Sequence, residues 1–308
     1  MLANLQSKIV NLQSTMLISL IGEQPIPVLL VDRALKPKQH ILAHSEKTRR
    51  VAENLHALLP HTELLPLDDP YDLVSIRAAF EQAYQPGMTF NLTGGTKPMA
   101  WAGYESARSH GAEVIYLESE KKRSKLYHLN FTANGIKQTA DFLPSLISAE
   151  DYLRAHGLQS VPSKPLSNEQ ETALFMFLRT QADDVRHNLQ YPAFEIDFLV
   201  QRGNQAAVIE AKSGLSPNKR KRDGLDQLTT IAGREYLGTY TGRIWVVAKT
   251  PGEQLQELAK AYGVQIVLVS IRASAPGRWR LDAPSQSRLR AALDETLGLQ
   301  SSNLKSPI

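Results

Sequence analysis

Asp197 lies in a largely apolar run, Phe194-Glu195-Ile196-Asp197-Phe198-Leu199-Val200, and Glu210 and Lys212 lie in a second, Val208-Ile209-Glu210-Ala211-Lys212. Arg202-Gly203-Asn204 between them reads as a turn, so the two runs are expected to pair as a β-hairpin. Residues two apart on a strand share a face, so Glu210 and Lys212 point the same way and the hairpin brings Asp197 alongside Glu210. Two carboxylates on adjacent strands offer hard oxygen ligands suited to Mg²⁺ or Mn²⁺. An ion held there acts as a Lewis acid toward a phosphate and lowers the pKa of a bound water. Lys212 would hold the attacking water or neutralise charge growing on the phosphorus centre. Charges in strands of core-like composition are costly without a ligand. The competing reading is a cross-strand ion pair, Asp197 or Glu210 with Lys212, because so short a string recurs by chance.

The elements needed to position these groups are legible around them. Asn168 is a candidate N-cap for a helix whose apolar stripe is Leu174, Phe175 and Leu178. Strands are expected at residues 194–200 and 206–211, a helix at 225–237 and a further strand at 242–248. Helix, hairpin, helix and strand in that order make an α/β domain with a mixed sheet. The arrangement resembles the PD-(D/E)xK nuclease superfamily, whose Asp corresponds to Asp197 and whose E-x-K corresponds to Glu210-Ala211-Lys212. The resemblance implies a metal at Asp197, Glu210 and Ala211, and a helix acid, Glu171 or alternatively Glu169. Glu195 shares the Asp197 face by the period of two and is a lesser candidate. The superfamily's Pro before the Asp is replaced by Ile196. Gln227 reads as a solvated helix residue rather than a phosphate contact. The basic loop from Lys219 to Arg222 would either track a nucleic-acid backbone or be a solvated charge run.

A second chemistry-bearing stretch lies upstream, in Asn91-Leu92-Thr93-Gly94-Gly95-Thr96-Lys97-Pro98. Glycines let backbone N–H groups approach a ligand, a helix N-terminus adds partial positive charge, and Lys97 adds a full one. The loop is neither a Walker A nor a G-x-G-x-x-G sequence. It joins a strand at residues 88–92 to a helix at 99–110. Further strands are expected at 15–21, 39–43, 63–67 and 112–117, and helices at 28–35, around Val51, Leu55, Leu58 and Leu59, and at 73–84. That alternation specifies a doubly wound parallel sheet, which binds ligands at the carboxyl ends of its strands. A charged stretch at 118–125 and an alternating strand at 125–131 read as a hairpin added at the edge.

Three loops should therefore gather at one sheet edge: Gly22 to Pro27, Ser45 to Thr48, and the glycine loop. Together they resemble the CRISPR-associated Rossmann-fold (CARF) sensor domain over residues 15–131. The resemblance implies binding of a cyclic oligoadenylate by a symmetric dimer, with Thr93, Gly94, Gly95, Thr96 and Lys97 holding the ligand and Gln24 and Ser45 adding to it. A CARF unit joined to a PD-(D/E)xK unit is similar to the single-CARF nucleases activated by cyclic tetra-adenylate. It implies metal-dependent cleavage of single-stranded DNA and RNA, nicking of duplex DNA, and a homodimer. The expected organisation is a sensor at residues 1–143, a linker at 144–167 marked by Pro144, Gly157, Pro162 and Pro165, and a nuclease domain at 168–308; residues before Thr15 fall outside the pattern.

Composition narrows the alternatives. The chain has 308 residues, which suits two domains, and no cysteine, which excludes disulfides, thiolate zinc sites and cysteine nucleophiles. No apolar run approaches the roughly 20 residues of a membrane span, and no secretory pattern opens the chain, so a soluble cytoplasmic protein is expected. Residues 1–150 carry 15 Lys+Arg against 15 Asp+Glu, and residues 151–308 carry 20 against 16, so the net charge of +4 belongs to the second half. A basic half suits contact with phosphate. The eight histidines show no metal-ligand spacing; His40 and His44 are expected to be solvated or satisfied in the core. A nucleic-acid-binding regulator without catalysis is the alternative, disfavoured by the in-line acids.

Overall fold

The computed structural model describes residues 16–120, 123–212, 223–233, 236–276 and 278–299, and these divide into two compact units. The basic loop Lys219 to Arg222 and the residues before Thr15 lie outside the described residues. The first unit alternates strand and helix. Its elements are β1 (Met16–Leu20), α1 (Ile26–Leu35), β2 (Gln39–His44), α2 (Arg49–Leu58), β3 (Thr62–Pro66), α3 (Leu73–Ala83), β4 (Met88–Asn91), α4 (Lys97–His110) and β5 (Val114–Glu120). A hairpin of β6 (Arg123–Thr132) and β7 (Gly135–Phe142) follows. The sheet order is β3-β2-β1-β4-β5-β6-β7, with β1 to β5 paired in parallel. The chain runs outward from β1 to β2 and β3, then crosses back to β4 on the other side. The crevice between β1 and β4 is thus the topological switch point.

The period of two divides the strands between two layers. Ile18 and Leu20 of β1, Ile41 and Ala43 of β2, and Met88 and Phe90 of β4 join Ile76 and Phe80 of α3 and Met99 and Ala102 of α4 in one core cluster. Leu17, Ser19, His40, Leu42 and Asn91, which alternate with them, are equally buried on the other face. Three of those five are polar.

In the second unit, α6 (Glu169–Leu178) is followed by β8 (Asp184–Gln190), β9 (Glu195–Arg202), β10 (Gln205–Lys212), α7 (Asp223–Ile231) and β11 (Gly242–Val247). Then come α8 (Glu253–Ala261), β12 (Gln265–Leu268), β13 (Ile271–Ala275), β14 (Arg278–Leu281) and α9 (Ala283–Leu297). The main sheet, β12-β11-β10-β9-β8, is parallel from β12 to β10 and antiparallel from β10 to β8. Phe198, Val200, Ala207, Ile209, Ile244 and Val246 pack with α6 and α9 residues into the core. The alternating residues, including Leu199 and Val208, take the opposite face.

Strand β8 escapes the apolar-run reading because its sequence, DVRHNLQ, is mostly polar and half-buried. Residues 144–167 hold a short helix, α5 (Ala149–Ala155), whose Tyr152 hydroxyl bonds the Thr241 hydroxyl at 2.9 Å. Among the described residues no helix is long and apolar enough to cross a membrane.

Candidate functional site

The hairpin of β9 and β10 pairs Phe198 with Ile209 and Leu199 with Val208. Asp197 and Glu210 lie one step further along, at the end of the pairing. The Asp197 carboxylate accepts the Ala211 N–H at 2.8 Å, which closes the ladder with a side chain in place of a carbonyl. Glu210 is completely buried, and the Lys212 ammonium forms an ion pair with its Oε1. Among the described residues Glu210 Oε2 has no hydrogen-bond partner. Burial drives the Glu210 carboxyl up to about 8, the Asp197 charge adds to the rise, and Lys212 opposes it. Asp197 is also raised, first by burial, with the Ala211 N–H and Lys212 working against it.

A half-buried acid beside a fully buried one with an orphaned oxygen is what a divalent cation would neutralise. The donor set fits a hard cation: carboxylate oxygens from Asp197 and Glu210, beside the Ala211 backbone. Lys212 forms its ion pair with Glu210, two residues away on the same strand. Lys212 is 39% exposed at its side chain, so the cation reaches the site from the solvent side.

The helix acid is less simply placed. Glu171 accepts hydrogen bonds from Ser167 N at 2.8 Å, Ser167 Oγ at 2.7 Å and Asn168 Nδ2 at 2.7 Å, while Asn168 caps the Glu171 N–H at 2.9 Å. Its carboxylate therefore braces the Asn168 cap, through Ser167 and Asn168, although its charge still bears on Asp197. The exposed Glu195 bears on both Asp197 and Glu210. Glu169, the alternative, stands in the first turn of α6. Gln227 donates to the Glu195 carbonyl at 3.0 Å, a structural contact.

In the first unit, Gln24 follows β1, Ser45 follows β2 and the glycine loop follows β4, all at carboxyl ends of parallel strands. A Cβ on Gly94 would stand 2.3 Å from the Leu20 carbonyl oxygen, so the loop lies against the end of β1. Gly95 has φ +76°, the left-handed region that favours glycine. Both glycines are thus required by the fold itself. The hydroxyls of the two threonines are also engaged. Thr93 Oγ donates to Asn91 Oδ1 at 2.6 Å and accepts from Leu117 N at 2.8 Å. Thr96 Oγ caps α4 through Met99 N at 3.3 Å and donates to the Pro70 carbonyl at 2.6 Å. Ser45 is buried and forms a capping box with Thr48. Gly95 and Lys97 are exposed at the loop's tip, and Gln24 is half-buried.

In the sequence His40 reads as a solvated or core-satisfied residue. The structure gives it specific partners. His40 Nδ1 lies 2.9 Å from Asp32 Oδ2, and His61 Nε2 lies 2.8 Å from the same oxygen. His40 Nε2 lies 2.8 Å from Ser19 Oγ, and Asn91 Nδ2 donates to Ser19 Oγ at 3.0 Å. The ligand atoms of Asp32, His40 and His61 lie within 4.8 Å of one another. No spacing in sequence announces this group, since its members come from α1, β2 and the turn just before β3.

No family model matches the sequence, and no curated protein is matched by it. Solved structures do match. Can2 from Sulfobacillus thermosulfidooxidans, in complex with cyclic tetra-adenylate, superposes with a TM-score of 0.70 at 13% identity, over 93% of this chain and 98% of that one. Protein VC1899 from Vibrio cholerae matches with a TM-score of 0.64 at 12% identity, over 82% of this chain and 93% of that one. A type III CRISPR defence DNA nuclease activated by cyclic oligoadenylate matches with a TM-score of 0.58 at 17% identity, over 91% of this chain and 44% of its own. At such identities the likeness is one of fold, and the fold is the expected one: a CARF-like parallel-sheet unit and a restriction-endonuclease-like mixed-sheet unit in one chain.

Proposed function

We propose that the chain is a metal-dependent nuclease switched on by a cyclic oligoadenylate, an effector of type III CRISPR defence. One observation carries this above the others: the half-buried Asp197 neighbours the fully buried Glu210, Glu210 has an oxygen without a hydrogen-bond partner among the described residues, and Lys212 reaches the pair from solvent. The likeness in fold to Can2 and to the CRISPR defence nuclease supports the same reading.

In this reading Mn²⁺ or Mg²⁺ is held by Asp197, Glu210 and Ala211, and when bound it supplies Lewis acidity toward the scissile phosphate and a more acidic water. The remaining work belongs to the protein. Asp197 accepts the Ala211 N–H through one oxygen, which would leave the other for the ion. Lys212 leaves Glu210 for the phosphate or for the attacking water. Glu171, or else Glu195 or Glu169, tunes the charge of the site. Substrates are single-stranded DNA and RNA, with nicking of duplex DNA.

The activator, cyclic tetra-adenylate, is bound at the switch point by the backbone of Gly94 and Gly95, by Thr93, Thr96 and Lys97, and by Gln24 and Ser45. The chain works as a homodimer in the cytoplasm. Tyr71, Val74 and Trp101, on the loop before α3, on α3 and on α4, are 71%, 77% and 62% exposed, an apolar surface that pairing of two copies would cover. The domain division is 1–143, 144–167 and 168–308.

The test is cleavage of fluorophore-quencher DNA and RNA reporters with Mn²⁺, with and without cyclic tetra-adenylate. Cleavage only when both are present is expected. Equal signal with Glu210→Ala, or activation by a ring of six adenylates and not of four, would overturn the assignment.

A further inference from the structure

On the face of the parallel sheet that packs against α1, a line of polar side chains runs through the core from α1 to the glycine loop. Its members are Asp32, His40, Ser19, Asn91 and Thr93, and the first four are 3%, 0%, 0% and 0% exposed. Buried polar groups are tolerated when every one is satisfied, and a satisfied chain of them fixes a single arrangement.

Each proton on this line has one possible place. The Thr93 backbone N–H donates to Asn91 Oδ1 at 3.1 Å, which settles the amide's orientation and turns Nδ2 toward Ser19. At the other end Asp32 is held below the usual carboxylate range: burial works to raise it, and the hydrogen bonds and charges of His40 and His61 prevail. An ionised carboxylate only accepts, so His40 Nδ1 donates. Burial pushes His40 down, against the pull of Asp32, and keeps it neutral. Its Nε2 must then accept, and the Ser19 hydroxyl donates to it. Ser19 Oγ receives the Asn91 Nδ2–H in return.

The same logic separates this line from a metal site. A cation held by Asp32, His40 and His61 would need the lone pair of His40 Nδ1. The proton would move to Nε2, Ser19 Oγ would face two donors, and the Ser19 hydroxyl hydrogen would lose its acceptor on the line.

We propose that His40, Ser19 and Asn91 are positioning residues for the glycine loop, holding Thr93 in place before a cyclic oligoadenylate arrives. Thr93 is the hinge of the arrangement, because its hydroxyl joins Asn91 to the Leu117 N–H of β5. The loop between β4 and α4 is thereby tied to β1, β2 and β5 at one residue. A loop ordered beforehand binds its ligand without the entropic cost of being ordered by it. The proposal rests on the activator reading given above for what the loop binds; its claim about what orders the loop does not.

The experiment uses the full chain and the variants Ser19→Ala, Thr93→Val and Thr93→Ser. Hydrogen exchange at the Thr93 and Leu117 amides is measured without ligand, with the β11 amides as an internal reference, and cyclic tetra-adenylate binding is titrated. Ser19→Ala removes both buried hydrogen bonds of the hydroxyl, and is expected to accelerate exchange at Thr93 and Leu117 by about tenfold to a hundredfold and to weaken binding by a similar factor. Affinity falls further than the cleavage rate at saturating activator. Thr93→Ser keeps the hydroxyl and restores both readouts. Thr93→Val, at the half-buried end of the line, reproduces the weakening, and the double variant with Ser19→Ala is no worse than the weaker single. A wild-type chain that binds the ring, with Ser19→Ala unchanged in exchange and affinity, or with effects that multiply in the double variant, overturns the proposal. So does a stoichiometric metal ion in the purified chain that His61→Ala removes. Accelerated exchange in a chain that binds no ring sinks the activator reading and leaves the line as what orders the loop.

Discussion

The Asp197 carboxylate accepts the Ala211 N–H at 2.8 Å across the β9–β10 hairpin, and this contact holds one acid of the candidate site beside the other. The bond matters because Asp197 sits where the ladder ends. A side chain there is otherwise free to turn outward. With one oxygen occupied by the Ala211 N–H, the second stays at a fixed place relative to Glu210. An amide oxygen accepts from an N–H as well as a carboxylate does, so Asp197→Asn should keep the hairpin while removing the charge. We expect wild-type thermal stability within about 1 kcal/mol and a loss of cleavage of roughly a thousandfold or more. Melting curves beside reporter cleavage check this. An unfolded Asp197→Asn would show that the bond needs the charge.

Glu210 makes stability depend on pH in the metal-free chain. Its folded pKa is raised from 4.5 to about 8, so the folded state binds a proton that the unfolded state has released. The group's favourable share of stability is complete below the unfolded value and is lost as pH rises toward about 8. In chelator, the wild type should therefore lose on the order of a few kcal/mol between those limits. Glu210→Gln should flatten that slope and unfold at higher denaturant concentration at pH 9. Urea titrations across pH decide it; parallel slopes in the two proteins would mean that Glu210 is ionised throughout.

Cation binding must displace that proton. Apparent Mn²⁺ affinity should rise by up to about tenfold per pH unit and level off near pH 8. Calorimetry in buffers of different ionisation enthalpy would report the proton released. Binding without proton release, or affinity independent of pH between 6 and 8, would place the ion elsewhere.

Gly94 and Lys97 separate structure from ligand contact in the glycine loop. A methyl group on Gly94 would meet the Leu20 carbonyl oxygen at 2.3 Å, backbone against backbone, so Gly94→Ala should displace the loop or destabilise the unit by about 2 kcal/mol or more. Lys97 is exposed at the first position of α4, and Lys97→Ala should leave the melting temperature unchanged. It should weaken cyclic tetra-adenylate binding by roughly tenfold to a hundredfold, the range of a charge-assisted contact. A Lys97→Ala chain that binds as tightly as wild type would move the activator away from this loop.

The parallel sheet was legible because alternating apolar runs and helical periods punctuate residues 15–117 cleanly. The D…ExK hairpin was legible because period two puts Asp197, Glu210 and Lys212 on one face. Strand β8 was not, since a half-buried edge strand with the sequence DVRHNLQ carries little apolar signal. Elements beyond residue 248 were not read at all, although Asp282 caps α9 through Ser285 N at 2.8 Å in the way a sequence signature allows. The line from Asp32 to Thr93 has no local signature: its residues lie 8, 21 and 72 positions apart along its contacts and meet only through the parallel register.

The sequence alone left the third acid open, and the geometry separates its two roles. Glu171 spends its oxygens on Ser167 and Asn168, so Glu171→Ala should cost about 0.5–1.5 kcal/mol through loss of its bracing of the Asn168 cap. Glu195 has no such duty and its charge reaches both Asp197 and Glu210. If the cap is the whole role of Glu171, Glu171→Gln should melt slightly lower and cleave at wild-type rates below its melting temperature. Glu195→Gln should then melt as wild type and change the metal concentration needed for half-maximal cleavage. If Glu171→Gln instead abolishes cleavage at unchanged stability, the side chain leaves its cap for the metal when nucleic acid binds, and the superfamily's helix acid is Glu171. Metal titrations of both variants, run beside melting curves, distinguish the two outcomes.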